Sequence, residues 1–326
     1  MNGVEGVNGL TPSPGHKIAI RAGMEYDLKV NSKKSRILIV GGNGYVGSTL
    51  ARELSADYSV FCTFQNEYTP LREVTYLRHS NLSDKETAKN IVKTVDPDLV
   101  IYCAGSNDLM FCEQEQNIRP TQLVHSTGAT HFLTASDTVK AKFVYLSSDY
   151  IFSGVDGNYL ETDTAIPAFQ LGKAKLGAEN FIRSRSLNYL IIRCAPLLGR
   201  GTLDHPSWLD RLREAAVTGK KIKLAGKNVH NPVHIGFLVE MIRYSIEHEI
   251  KNKTLHCGGL SKASLFECAQ IFLSFMKMDE SAVEPSDASS NAMPSDYSLN
   301  FSQTTELMRL KPLLLEESLD RCLTTF

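Results

Sequence analysis

No run of about 18 consecutive apolar residues occurs in the 326-residue chain, so no membrane-spanning helix is expected. The first 34 residues also lack the apolar core of a secretory signal. Seven cysteines include neither a CxxC pair nor any ligand-like spacing, and no structural metal site is expected from them. Their odd number, with Cys62 and Cys103 inside apolar runs, predicts buried, reduced thiols and a cytoplasmic protein. Neither sign of charge is in excess. With 35 Lys and Arg against 36 Asp and Glu, no basic face is implied and nucleic acid is not an expected partner. Internal repeats are absent. Apolar residues at 42% are ordinary for a globular fold with a sizeable core.

What the chain does have is an α/β rhythm beginning at Arg36. Apolar strand-like runs at Ile37–Val40, Tyr58–Thr63, Val74–Leu77, Leu99–Cys103 and Phe143–Ser147 alternate with helix-like segments. One helix is expected to start at Ser83, with Glu86 as its capping-box partner. Such alternation predicts a doubly wound parallel sheet. After about Pro196 the rhythm loosens into a smaller C-terminal region, in which 279–298 reads as a loop. Ahead of the sheet, Lys17–Arg21 alternates weakly and predicts a short strand docked on the main domain.

Gly41, Gly44 and Gly47 follow the first apolar strand and open a helix, with Tyr45 and Val46 between the last two. In that context the first glycine permits a tight turn, the second a close approach to a pyrophosphate, and the third helix–strand packing. The helix N-terminus then supplies N–H groups and a positive dipole end to the anion. At the end of the second strand, Thr63-Phe64-Gln65-Asn66-Glu67 has no acid directly at the terminus. Gln65 leaves room for a 2′-phosphate that Arg72 would reach. The expected cofactor is therefore NADP over NAD, an order that Glu67 reverses if the strand runs on.

The most specific stretch is Ser147–Lys175, which places a strand-end hydroxyl, Ser148, 27 residues before a helical lysine, Lys175. Four residues before the lysine stands Leu171. Together with the glycine turn, PDLVIYCAG (97–105), GKAKLGAE (172–179), LIIRCAPLLG (190–199) and NPVHI (231–235), this stretch resembles the extended short-chain dehydrogenase/reductases. The likeness is greatest to the dTDP-4-dehydrorhamnose reductase branch, which also includes the regulatory β subunit of methionine adenosyltransferase. It runs from about Arg36 to the C-terminus.

The resemblance implies an NAD(P)-binding Rossmann domain over 35–198 with a returning segment near 229–247. It also implies a smaller substrate-binding region over 199–326, and it leaves 1–34 as an extension. Cys103, Ala104 and Gly105 join the cofactor site by the same likeness. Family members reduce a 4-keto group on a nucleotide-linked sugar. A tyrosine donates the proton, a lysine lowers that tyrosine's pKa and holds the nicotinamide ribose, and a Ser or Thr orients the carbonyl. Here Ser148 and Lys175 match, Asp149 and Tyr150 match the adjoining polar pair, and Leu171 falls on the tyrosine. An aliphatic side chain has no proton to donate. His125 replaces a supporting asparagine, Gly236 an aspartate, and Ala292-Met293-Pro294 lacks an arginine.

His125 and Tyr150 remain as alternative donors. Two expectations follow: a cofactor- or nucleotide-sugar-binding sensor or regulator, or an active reductase or epimerase with a non-standard donor. A scaffold without cofactor is disfavoured by the intact glycine turn. A protein partner and a homodimer are further expectations. His230 and His234, four apart, would share a helix face for a metal, but Pro232 between them argues against it.

Overall fold

The computed structural model describes residues 18–19, 34–66, 70–286 and 295–324. Its frame is a parallel sheet of β1 (Ile18–Ala19), β2 (Arg36–Val40), β3 (Ser59–Phe64), β4 (Val74–Arg78), β5 (Leu99–Tyr102), β6 (Lys142–Ser148), β7 (Tyr189–Cys194) and a last strand at Lys253–Cys257. The order is β1-β4-β3-β2-β5-β6-β7 and then Lys253–Cys257. The order reverses between β2 and β5, which opens a crevice at the carboxyl ends of those strands. The expected doubly wound fold is observed.

Alternation along the strands explains the two helical layers. Ile37 and Ile39 face Leu50 and Leu54 of α1 (Tyr45–Leu54), with Phe237, Leu238 and Met241 of the helix Ile235–Glu247 behind them. Leu38 and Val40 face the opposite layer. There α2 (Lys85–Val95) contributes Ala88 and Ile91. The short α3 (Leu109–Cys112) leads into α4 (Glu115–Gln122) and α5 (Ala129–Thr138), and α5 adds Phe132 and Leu133. Ala178 and Ile182 come from α6 (Gln170–Arg185). A strand buried on both faces needs an unbroken apolar run, which is what the sequence shows. Each such Leu or Ile contributes about 1.5–3 kcal/mol on burial.

Two local readings change, the helix cap and the 279–298 loop. The cap of α2 is Asp84, whose carboxylate accepts from Thr87 N at 2.7 Å, because the Ser83 hydroxyl is taken by Asn81 Oδ1 at 2.7 Å. The expected N-terminal strand is seen at Ile18–Ala19, paired in parallel with β4, Ile18 opposite Tyr76, while Lys17, Ile20 and Arg21 lie outside the described residues. The 279–298 stretch contains a strand, Val283–Ser286, paired with Ile222–Ala225, and a shorter one at Ser295–Asp296. Lys253–Cys257 adds the last strand of the sheet, paired in parallel with β7.

The C-terminal region has its own core, with Leu209 and Leu212 packed near Cys268, Phe272, Leu315 and Leu319. His230 lies on the strand Asn228–His230 and His234 on Val233–His234, so the two share no helix face. Among the described residues no helix is long and apolar enough to cross a membrane.

Candidate functional site

The glycine turn joins β2 to α1 at the crevice. Gly41 adopts φ +92°, and a Cβ there would lie 2.7 Å from the Ala104 backbone. Its N–H donates to Thr63 Oγ1 at 2.9 Å, and Gly42 N donates to Thr63 O at 3.1 Å, which ties the turn to β3. A Cβ on Gly47 would lie 2.2 Å from Gly41 O, so the helix packs against the turn only without a side chain. Gly44 differs. A Cβ there would meet only Gly41 O, at an ordinary 3.5 Å. Protein packing does not demand this glycine, and the open space above it fits a pyrophosphate at a helix N-terminus.

Around the turn, Tyr45 and Val46 begin α1, and the buried Tyr45 hydroxyl has no hydrogen-bond partner among the described residues. Cys103 Sγ donates to Val40 O at 3.3 Å, Ala104 underlies Gly41, and Gly105 takes φ +108°. Gln65 is exposed just beyond β3, its amide donating to Ser80 O at 3.3 Å, and Arg72 is exposed ahead of β4. Glu67 and Ala292-Met293-Pro294 lie outside the described residues.

α4 and α5 are parts of one continuous helix, joined by a π-helical segment at Leu123–Gly128 that carries His125. The wider turn leaves carbonyls without their usual partners. Two sheet tyrosines take them up: Tyr102 donates to Val124 O at 2.6 Å and Tyr145 to His125 O at 2.8 Å. The His125 ring is buried directly beneath Gly105, where a Cβ would lie 2.4 Å from Cε1. Its Nε2 sits 2.9 Å from Ser106 O. Burial, with the nearby Lys175 charge, pushes its pKa down to about 3. The ring is therefore neutral, donating from Nε2 to Ser106 O, and Nδ1 is left as a buried acceptor without a partner among the described residues.

Lys175 is likewise turned inward. Its Nζ donates to Leu146 O at 2.7 Å and lies over the Tyr145 ring, 5.4 Å from the centroid. Burial lowers its pKa to about 8, against an opposing pull from Cys194, Cys103 and Cys112. Leu171, one turn earlier in α6, is fully buried.

At the end of β6, Ser148 Oγ donates to Asp149 Oδ1 at 3.0 Å and accepts from Tyr150 N at 3.2 Å. Asp149 Oδ2 lies 2.6 Å from His230 Nδ1, with both side chains buried. Beyond it, His230 Nε2 is 3.5 Å from the hydroxyl of the half-buried Tyr150. Burial, reinforced by Asp149 and Tyr297, raises the Tyr150 pKa well above its ordinary value, so the phenol keeps its proton.

Residues 35–326 match the family model described as the RmlD substrate binding domain. The chain belongs to the RmlD family. Among its relatives, the methionine adenosyltransferase 2 subunit beta of Rattus norvegicus is 23% identical over 272 residues, 79% of this chain and 77% of that protein. The dTDP-4-dehydrorhamnose reductase of Mycolicibacterium smegmatis is 23% identical over 94% of this chain and 91% of its own. In fold, the dTDP-4-dehydrorhamnose reductase of Bacillus anthracis, solved in complex with NADP, superposes with a TM-score of 0.76 at 22% identity. The match covers 90% of this chain and all of that one.

In this RmlD-family chain the predicted residues fall into three groups. Gly41, Gly44, Gly47, Tyr45, Val46, Cys103, Ala104 and Gly105 gather around the crevice between β2 and β5, with Gln65 just past the end of β3. Arg72 is not among them: it precedes β4, whose first residue Val74 pairs with Val60, and so lies toward the amino ends of the strands. Ser148 and Tyr150 stand at the end of β6. His125 and Lys175 lie beneath them, each engaged by a backbone carbonyl. Sequence reading considered His230 only as a metal partner of His234 and missed its bond to Asp149, 81 positions earlier in the chain.

Proposed function

We propose that this RmlD-family chain binds NADP, or NAD, at the glycine turn and has lost the standard reductase step. It would act in a reducing, cytoplasmic setting as a cofactor-loaded sensor or regulatory subunit for a nucleotide-sugar or a protein partner. The observation that carries this reading is Leu171. The resemblance puts the proton-donating tyrosine at this position, and the side chain here is aliphatic and buried. The inward-turned Lys175 and the neutral His125 support the same reading, since neither offers a proton to the cleft. That a relative is named as a subunit of an adenosyltransferase is in keeping with a regulatory role. When bound, the dinucleotide would supply hydride chemistry. The chain's own contribution is to hold the pyrophosphate at Gly44 and the nicotinamide ribose near Lys175.

A second reading keeps catalysis. Reductases are among the relatives, and the half-buried Tyr150, just past the end of β6, keeps its phenol proton.

Restoring the acid separates the two. Leu171→Tyr should produce NADPH oxidation with a 4-keto nucleotide-sugar where the wild-type chain shows none. A general acid is worth about 10²–10⁴-fold. Wild-type turnover that Leu171→Tyr leaves unchanged, and that Tyr150→Phe abolishes, would establish the second reading instead.

A further inference from the structure

The Asp149–His230–Tyr150 line has a direction. Asp149 accepts at both oxygens, from Ser148 Oγ and from His230 Nδ1. A carboxylate has no proton to give, so the ring hydrogen sits on Nδ1, and in a neutral imidazole Nε2 is then an acceptor. Among the described residues the hydrogen placed to meet it is the Tyr150 phenol proton, 3.5 Å being the long end of hydrogen-bond range. The Asn228 side chain also hydrogen-bonds the Tyr150 hydroxyl.

Neither ring can swing freely. His230 stacks on Tyr297 with centroids 5.4 Å apart and planes 14° from parallel. Tyr150 is held edge-on by Tyr297 at 5.1 Å and by Phe169 at 5.7 Å. With its proton committed inward, the phenol oxygen of the half-buried Tyr150 has only lone-pair density left for a ligand.

We propose that this line makes Tyr150 a hydrogen-bond acceptor toward the ligand. The site would then bind a hydroxyl-bearing sugar ring in preference to its keto counterpart, with His230 and Asp149 as the positioning residues. The inference rests on the preceding reading only in taking this cleft as the nucleotide-sugar site. It would give a second physical reason, independent of Leu171, for a lost ketone-reduction step. A keto oxygen needs a donor, and the nearest phenol offers none.

Asp149→Asn tests this with almost no change of shape. The amide keeps an acceptor for Ser148 but donates to His230 Nδ1, which moves the ring hydrogen to Nε2. A carboxylate-to-amide change behind an imidazole selects the other tautomer in this way. Nε2–H then donates to the Tyr150 oxygen and frees the phenol proton for the cleft.

Long-range proton–nitrogen correlation spectra of the ¹⁵N-labelled protein, with His230→Gln for assignment, should show the Nδ1–H tautomer in wild type and Nε2–H in Asp149→Asn. An Nε2–H ring or an imidazolium in wild type overturns the assigned direction, and this arm needs no ligand or variant fold beyond the assignment. Calorimetry on the NADP-loaded chain supplies the second arm. dTDP-glucose should bind about tenfold more tightly than its 4-keto-6-deoxy counterpart, a difference of about 1.4 kcal/mol. Tyr150→Phe should level the two, and Asp149→Asn should reverse them. Preference for the keto sugar, or binding of neither, overturns the ligand assignment. If NADP itself does not bind while wild-type His230 shows Nδ1–H, the cofactor reading fails and the hydrogen-bond direction stands.

Discussion

Leu171 offers no acid, and the groups around it have been turned to other partners. Lys175 spends a hydrogen on Leu146 O and His125 one on Ser106 O, so both stabilise the strand ends and loops that frame the crevice. The β3 terminus carries Gln65 and no acid at the strand end, while Arg72 is exposed ahead of β4, toward the amino ends of the strands and away from the crevice. Arg72→Ala should therefore leave NADPH and NADH binding unchanged, read by nicotinamide fluorescence. A loss confined to NADPH would place Arg72 in the site.

At the scale of elements, the β2–turn–α1 unit makes the clearest separation of packing from binding. Gly47→Ala forces a Cβ to within 2.2 Å of Gly41 O and should cost about 1–3 kcal/mol of stability together with cofactor binding. Gly44→Ala meets no such contact. At the helix N-cap it should cost less than about 1 kcal/mol while lowering NADPH affinity at least tenfold. Thermal melts and titrations of the two variants check this, and intact NADPH binding in Gly44→Ala would mean the space above that residue holds no phosphate.

This turn was legible in sequence because its chemistry is local, with three glycines at fixed spacing after an apolar strand. The sheet was legible for a similar reason, since strands buried on both faces read as unbroken apolar runs. The π segment at Leu123–Gly128 was not, because one extra residue in a turn leaves no periodic mark. His230 was hidden by distance along the chain. Its relation to His234 was visible as a spacing, but its bond to Asp149 exists only once the strand Asn228–His230 is folded beside the end of β6.

Over the whole molecule, buried neutral histidines couple folding to pH. His125 and His256 protonate near pH 6.5 when unfolded but only near pH 3 in the folded chain, chiefly because burial penalises the charged ring. Between those values unfolding takes up protons, so stability should be full above about pH 6.5 and fall as pH drops toward 3. The expected slope is roughly 1.4 kcal/mol per pH unit for each histidine. Denaturant unfolding at pH 7 and pH 5 measures it, and His125→Gln should reduce the slope by one proton. An unchanged slope would mean that His125 titrates normally in the folded chain.

The decisive measurement is a titration of the purified protein with NADPH and NADH, followed by nicotinamide fluorescence and thermal shift and then by addition of 4-keto nucleotide-sugars. Saturable binding, tighter for NADPH, with no loss of reduced cofactor is the expected result. Substrate-dependent oxidation by the wild-type chain would contradict the loss of the reductase step.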